Sequence, residues 1–130
     1  MKQAPVIVVE DDPILRDLLS KYLDQLGYAL QAVEDALSAL PLLRGAPYVA
    51  IVDVHLPGAS GLWLADQIRE ISPTTAVVLA TGDATIPANQ SMRAGIVAYL
   101  VKPFELEGVA AAVQDGVQWS ALRRTARGLD

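Results

Sequence analysis

Three adjacent carboxylates, Glu10-Asp11-Asp12, follow the apolar run Val6 to Val9 directly. Like charges packed where a chain leaves a buried strand repel one another and raise their pKa values unless a cation neutralises them. A hard, oxygen-only donor set suits Mg²⁺ or Mn²⁺. Asp12 also reads as a helix cap, with Pro13 at the first helical position, and the cap needs only one of the three acids. A further carboxylate, Asp53, ends the run Ala50-Ile51-Val52 and precedes Val54-His55-Leu56-Pro57-Gly58. Standing alone, it would read as a strand-end residue bonding loop amides. Two more apolar runs end in Thr81-Gly82-Asp83 and in Lys102-Pro103-Phe104. A hydroxyl donor and an ammonium flanking a carboxylate and a metal make a site for a phosphoryl group, because cations balance its charge and the hydroxyl donates to its oxygens. A turn Thr and a solvated Lys are each ordinary. Suitable groups at four separate run ends are not.

The elements that must position these groups are legible in the hydrophobic pattern. Short apolar runs at Val6 to Val9, Ala29 to Val33, Val49 to Val52, Ala76 to Ala80 and Ile96 to Val101 read as five buried strands. Helical spacing fills the gaps, with Ile14, Leu15, Leu18, Leu19 and Tyr22 after the first strand and Leu62, Ala65, Ile68 and Ile71 after the third. Gly27 marks the end of the first helix, and Gly45, Pro47 and Gly95 precede later strands. Pro41 predicts a kink or break within Ala36 to Arg44. The last helix is predicted from Leu106 to about Leu122, with Leu106, Val109, Ala110, Val113 and Val117 on one stripe and Trp119 on the exposed side. Trp63 reads equally as a contact point or a partly covered core aromatic. Alternating strands and helices with right-handed crossovers give a parallel sheet covered on both faces, with ligands at the carboxyl ends of the strands. Strands one and three are then neighbours at the switch point, bringing Asp53 beside Glu10 and Asp11.

Composition narrows the function classes. The 130 residues are 52% hydrophobic, which suits one domain with one core. Ten basic against fifteen acidic residues leave a net charge of −5, and the pI near 4.7 argues against direct binding of nucleic acid. The absence of cysteine excludes disulfides and thiolate metal sites and fits a reducing compartment. No apolar stretch approaches the ~20 residues of a membrane span. Acids at 10 to 12 interrupt any signal-like N-terminus, so a cytoplasmic location is expected.

Val8-Val9-Glu10-Asp11-Asp12, Asp53 with Pro57-Gly58, the Thr81 strand end and Tyr99-Leu100-Val101-Lys102-Pro103-Phe104 occur in order and at characteristic spacing. In these motifs the chain resembles the receiver domain of bacterial two-component response regulators, from about Ala4 to Leu122. The resemblance implies an α/β, flavodoxin-like doubly wound (βα)5 fold with a five-stranded parallel sheet in the order 2-1-3-4-5. Residues 1–122 would form the receiver, and 123–130 a C-terminal tail or the start of a linker to an output domain. Asp53 would be the phosphoacceptor, attacking the phosphohistidine of a sensor histidine kinase or a histidine phosphotransfer protein. Asp11 and Asp53 would bind Mg²⁺ directly, with Mn²⁺ an alternative. Glu10 would act through water, and the backbone carbonyl of His55 would complete the protein ligands. Lys102 would pair with Asp53 or its phosphoryl oxygens. Thr81 would be the switch hydroxyl and Tyr99 would follow it, changing a surface made from the fourth helix, fifth strand and fifth helix, about Thr85 to Leu122. That surface is also the expected place for a homodimer. Catalysis would be limited to self-phosphorylation and slow self-dephosphorylation, which is not an enzyme in the usual sense.

The chain departs from the common pattern at His55, its only histidine, two residues beyond the acceptor. With Asp83, two residues past Thr81, it is expected to tune acyl-phosphate lifetime by controlling the attacking water. His55 also weighs against an aspartyl phosphatase of the haloacid dehalogenase type, which needs a second carboxylate at that place. The acids after the first strand would repel a flavin phosphate, against a flavodoxin-like binder. The alternative kept is a pseudo-receiver that binds partners without phosphorylation.

Overall fold

The computed structural model describes residues 3–82 and 95–128. Strands β1 (Gln3–Val9), β2 (Tyr28–Val33), β3 (Val49–Asp53), β4 (Ala76–Thr81) and β5 (Ile96–Val101) form one parallel sheet in the order β2-β1-β3-β4-β5. Each strand begins within three residues of its predicted start, and β5 coincides with it. Helices α1 (Pro13–Gln25), α2 (Ala36–Ala39), α3 (Gly61–Ile71) and a C-terminal helix (Leu106–Ala126) cover the sheet. The expected fourth helix, from about Thr85, lies outside the described residues.

Side-chain alternation divides the core between the two faces of the sheet. Ile7, Val9, Ala50, Val52, Val77 and Leu79 join Leu43, Leu64, Ala65 and Ile68 on one side. Val6, Val8, Val49, Ile51, Ala76 and Val78 join Leu19, Leu23, Val109 and Val113 on the other. Burial on both faces is why the central strands read as unbroken apolar runs rather than alternating ones. In α1 only Leu19 and Leu23 are fully buried, whereas Ile14, expected on the apolar stripe, is 80% exposed. Ile14 instead lines an open cleft with Leu15, Leu18, Pro103 and Phe104.

Local chemistry sets the boundaries. Asp12 caps α1 by accepting from the Ile14 amide at 3.0 Å, with Pro13 beginning the helix. Gly27 closes it at φ 98°, a left-handed position natural to glycine, its amide donating to Asp24. Pro41 breaks the second helix as expected: α2 stops at Ala39 and the chain continues as a 3-10 segment, Leu40–Gly45. Ser60 caps α3 by accepting from the Trp63 amide at 3.1 Å.

The C-terminal helix keeps Leu106, Val109, Val113 and Val117 of its predicted stripe against the core but is turned toward its small residues. Its buried residues are Val109, Ala112, Val113, Gly116 and Ser120, and it continues to Ala126. Small residues, not apolar ones, mark the closest approach: a Cβ on Gly116 would lie 2.8 Å from Val49 Cγ2. This rotation brings Trp119, expected on the exposed side, into half-buried contact with the core. Polar groups anchor the helix end. Ser120 Oγ donates to the Thr74 carbonyl at 2.5 Å. Arg124 donates to Ser120 Oγ and to the carbonyls of Ala46 and Pro47, and its guanidinium stacks 3.9 Å from the centre of the Tyr48 ring.

Candidate functional site

Register explains why distant carboxylates meet. Val9 pairs with Val52 across the β1–β3 ladder, so Glu10 and Asp53, the next residues of the two chains, emerge side by side. Asp53 itself pairs with Ala80, and Thr81 with Val101, which sets the hydroxyl and Lys102 at the same carboxyl edge. Backbone bonds hold the ends together, from the Val54 amide to Ala80 and from the Lys102 amide to Thr81, at 2.8 and 2.6 Å. The Lys102–Pro103 peptide is cis.

Glu10, Asp53 and Thr81 are buried, whereas Asp11 is exposed. Lys102 Nζ donates to Asp53 Oδ2 at 2.7 Å and to Glu10 Oε1 at 3.0 Å, bridging the two buried acids. The remaining oxygens are also engaged. Asp53 Oδ1 accepts from the His55 amide at 2.9 Å, and Glu10 Oε2 from the Asp12 amide at 3.0 Å. Burial pushes the Glu10 carboxyl up to about 7; bonds from Asp12 and Lys102 oppose this, and the charge of Asp53 adds to it. Like-charge repulsion, the cause expected from the sequence, is therefore secondary to desolvation. Burial pushes the Lys102 ammonium down, but its bonds to Asp53 and Glu10 more than offset this and leave it raised.

One carboxylate oxygen from each of Glu10, Asp11 and Asp53 lies within 4.8 Å of the others. Oxygens on opposite sides of a magnesium ion stand about 4.2 Å apart, so these three could hold one cation with little closure. The donor set is all oxygen, and Glu10 would be ionised by a neighbouring divalent charge. Geometry and chemistry both fit a hard cation.

Among the other predicted residues, the His55 side chain is exposed beside the site, and its amide is the group engaged with Asp53. Tyr99 is half-buried in β5, paired with Leu79 and packed against the core. Asp83 lies outside the described residues. Two residues escaped the sequence reading. Arg16 Nη1 donates to the carbonyls of Glu10 and Asp11 at 2.9 and 3.4 Å. Gly61 sits so near the Asp53 carbonyl that an added Cβ would overlap its oxygen and lie 2.8 Å from its carbon. The only signal for Arg16 was its place one turn into α1. Gly61 looked like an ordinary residue at a helix start.

Comparison with known proteins identifies the family of the fold. The family model described as response regulator receiver domain matches residues 6–114. The transcriptional regulatory protein FixJ of Bradyrhizobium diazoefficiens is 30% identical over 115 residues, covering 87% of this chain and 56% of FixJ. The response regulator protein FleR of Pseudomonas aeruginosa is 43% identical over 104 residues, 78% of this chain and 22% of FleR. The chain thus spans about half of one relative and a quarter or less of the other. The crystal structure of a CheY-like receiver domain protein from Methanospirillum hungatei superimposes with a TM-score of 0.86, covering 94% of this chain and 99% of that one; at 21% identity it speaks for the fold alone. With motifs, sheet order and family match in agreement over most of its length, the chain belongs to the response regulator receiver domain family.

Proposed function

We propose that this chain is a phosphoacceptor switch, taking a phosphoryl group onto Asp53 from a phosphohistidine of a sensor kinase or histidine phosphotransfer protein. The observation that carries the reading is the Lys102 bridge between Asp53 and Glu10, with Asp11 alongside. A carboxylate oxygen of Asp53 forms the new P–O bond while the P–N bond to the donor breaks, and its electron pair leaves with the imidazole nitrogen. Lys102 moves from the free carboxylate to the incoming phosphoryl oxygens, keeping its charge paired throughout. Glu10 and Asp11, with Asp53 and the His55 carbonyl, would hold Mg²⁺, which when bound neutralises phosphoryl charge and orients the donor. Thr81 donates its hydroxyl to a phosphoryl oxygen, and Tyr99 responds by changing its packing.

A donor helix would dock against α1. Ile14, Leu15 and Leu18 line a cleft of about 430 Å³ with Pro103 and Phe104, opening beside Lys102. The apolar side chains of α1 that no strand covers would be buried there by a donor helix. The changed surface, built from the fourth helix, β5 and the C-terminal helix, would control a partner, an output domain or a second copy. We place this activity in the cytoplasm of a bacterium. His55 and Asp83 control the attacking water: His55→Ala and Asp83→Ala change the half-life of the acyl phosphate, and unaltered rates in both would remove that role.

Intact mass after incubation with acetyl phosphate and Mg²⁺ tests the central claim. Gain of one phosphoryl group by the wild type and none by Asp53→Asn is expected. A folded wild type that gains nothing from acetyl phosphate or from a phosphorylated kinase would instead support a phosphorylation-independent interaction module.

A further inference from the structure

Resting on the cation-dependent reading above, we propose that Arg16 is a positioning residue for the divalent cation, holding the Glu10–Asp11 turn by its backbone so that the carboxylates converge. The guanidinium donates to the Glu10 carbonyl at 2.9 Å and to the Asp11 carbonyl at 3.4 Å. It thereby ties the first turn of α1 to the two residues that carry the β1-side ligands. Lys102 works differently, since it occupies a carboxylate oxygen of Glu10 and one of Asp53. Arg16 leaves the ligand oxygens alone.

Other bonds to this turn show what Arg16 adds. The Glu10 amide donates to Val33 at 3.1 Å, which anchors the start of the turn in the sheet. Asp12 receives the Ile14 amide and donates its own amide to Glu10, which anchors the end in the helix. Arg16 donates to both the Glu10 and the Asp11 carbonyls and occupies no carboxylate oxygen of either acid. Asp11 is exposed, so its carboxylate depends on the backbone for its aim. Groups that orient metal ligands from behind typically change metal affinity by about 10–100-fold when removed.

The role has an unusual signature, because position and charge act in opposite directions. Removing a positive charge beside an acidic cluster should by itself tighten cation binding, as one like charge is lost. Removing a support for the ligand turn should weaken it. The sign of the change therefore separates the two.

The experiment is titration of Mn²⁺ into the metal-free protein, followed by loss of the free-ion electron paramagnetic resonance signal, with Mg²⁺ measured by competition. Arg16→Ala is expected to bind at least ~10-fold more weakly than wild type, with Arg16→Lys between them because an ammonium reaches one carbonyl but not two. Lys21→Ala, which removes the same charge farther along α1, should bind no more weakly than wild type. Circular dichroism melting in EDTA establishes folding, and Arg16→Gln replaces Arg16→Ala if the latter is unfolded. Phosphorylation of the folded variants by acetyl phosphate should need more Mg²⁺ for half-maximal rate and recover at saturation. Unchanged or tighter binding in Arg16→Ala, or a deficit that persists at saturating Mg²⁺, overturns the proposal. A wild type that binds neither ion overturns the cation-dependent reading and this inference with it.

Discussion

Gly61→Ala is expected to damage stability and the proposed phosphoacceptor, Asp53, together, through one methyl group. The added Cβ would overlap the Asp53 carbonyl oxygen and lie 2.8 Å from both Asp53 C and Val54 Cα, whereas carbon atoms pack at about 3.5–4.0 Å. Every obstructing atom is backbone, so no rotamer change relieves the contact. The start of α3 must instead withdraw by about 1 Å, stretching the Gly61 amide bond to the Val54 carbonyl, now 2.9 Å. Overpacking of this kind costs about 1–3 kcal/mol, and an unyielding backbone places Gly61→Ala near 3. At roughly 4 °C per kcal/mol for a domain of this size, the melting temperature should fall by about 12 °C. A reacting group misplaced by about 1 Å can lose ~100-fold in rate, so phosphorylation by acetyl phosphate should slow by one to two orders of magnitude. Gly108→Ala is the matched control, since nothing lies within 4 Å of a Cβ there and the residue is helical. It should stabilise by about 0.5–1 kcal/mol and leave the rate unchanged. Melting by circular dichroism and initial phosphorylation rates at saturating Mg²⁺ decide the matter. If the two variants behave alike, the close approach of α3 to the acceptor loop is not what holds Asp53.

Three further outcomes follow from the site and the helix anchor. Burial pushes the Glu10 carboxyl up to about 7 from its ordinary 4.5, so its protonated form favours folding: that contribution is fully present below 4.5 and lost as pH rises through 7. Metal-free stability should therefore fall over this window, by no more than ~3 kcal/mol, and Glu10→Gln should flatten the decline in urea unfolding with EDTA; an equal decline in both proteins contradicts the assignment. Lys102→Met strands two buried carboxylates and should cost about 2 kcal/mol without metal, less than a fully buried pair because Lys102 remains partly exposed. Millimolar Mg²⁺ should recover much of it, and a loss of equal size with and without Mg²⁺ would argue against a shared cation site. Arg124→Ala removes the contacts to Ala46, Pro47 and Tyr48 and should lower stability by about 2 kcal/mol. Arg124→Lys should fail to restore it, since the stacked fork is lost; full recovery in melting experiments would show that charge alone matters.

The sequence alone carried the strands, their order through the family motifs, the Asp12 cap, the break at Pro41 and the acidic, hydroxyl and ammonium residues. Those features are local or periodic: β3 and β4, buried on both faces, must read as apolar runs, and a proline beyond the first turn must interrupt a helix. The resemblance then supplied the site, because its four motifs lie at strand ends that a parallel sheet brings to one edge. Tertiary structure decided what depends on packing between elements distant in the chain. It set the face of the C-terminal helix through Gly116 and Ser120, whose smallness hides them from a hydrophobic pattern, and so covered Trp119. It left Ile14 uncovered at the mouth of an open cleft with Pro103 and Phe104. It made burial the main perturbation of Glu10, a quantity set by the whole surrounding fold. It also drew Arg16 onto the ligand turn and Gly61 against Asp53. Both act through the backbone of other residues, and a backbone contact leaves no mark in the identity of the residue contacted.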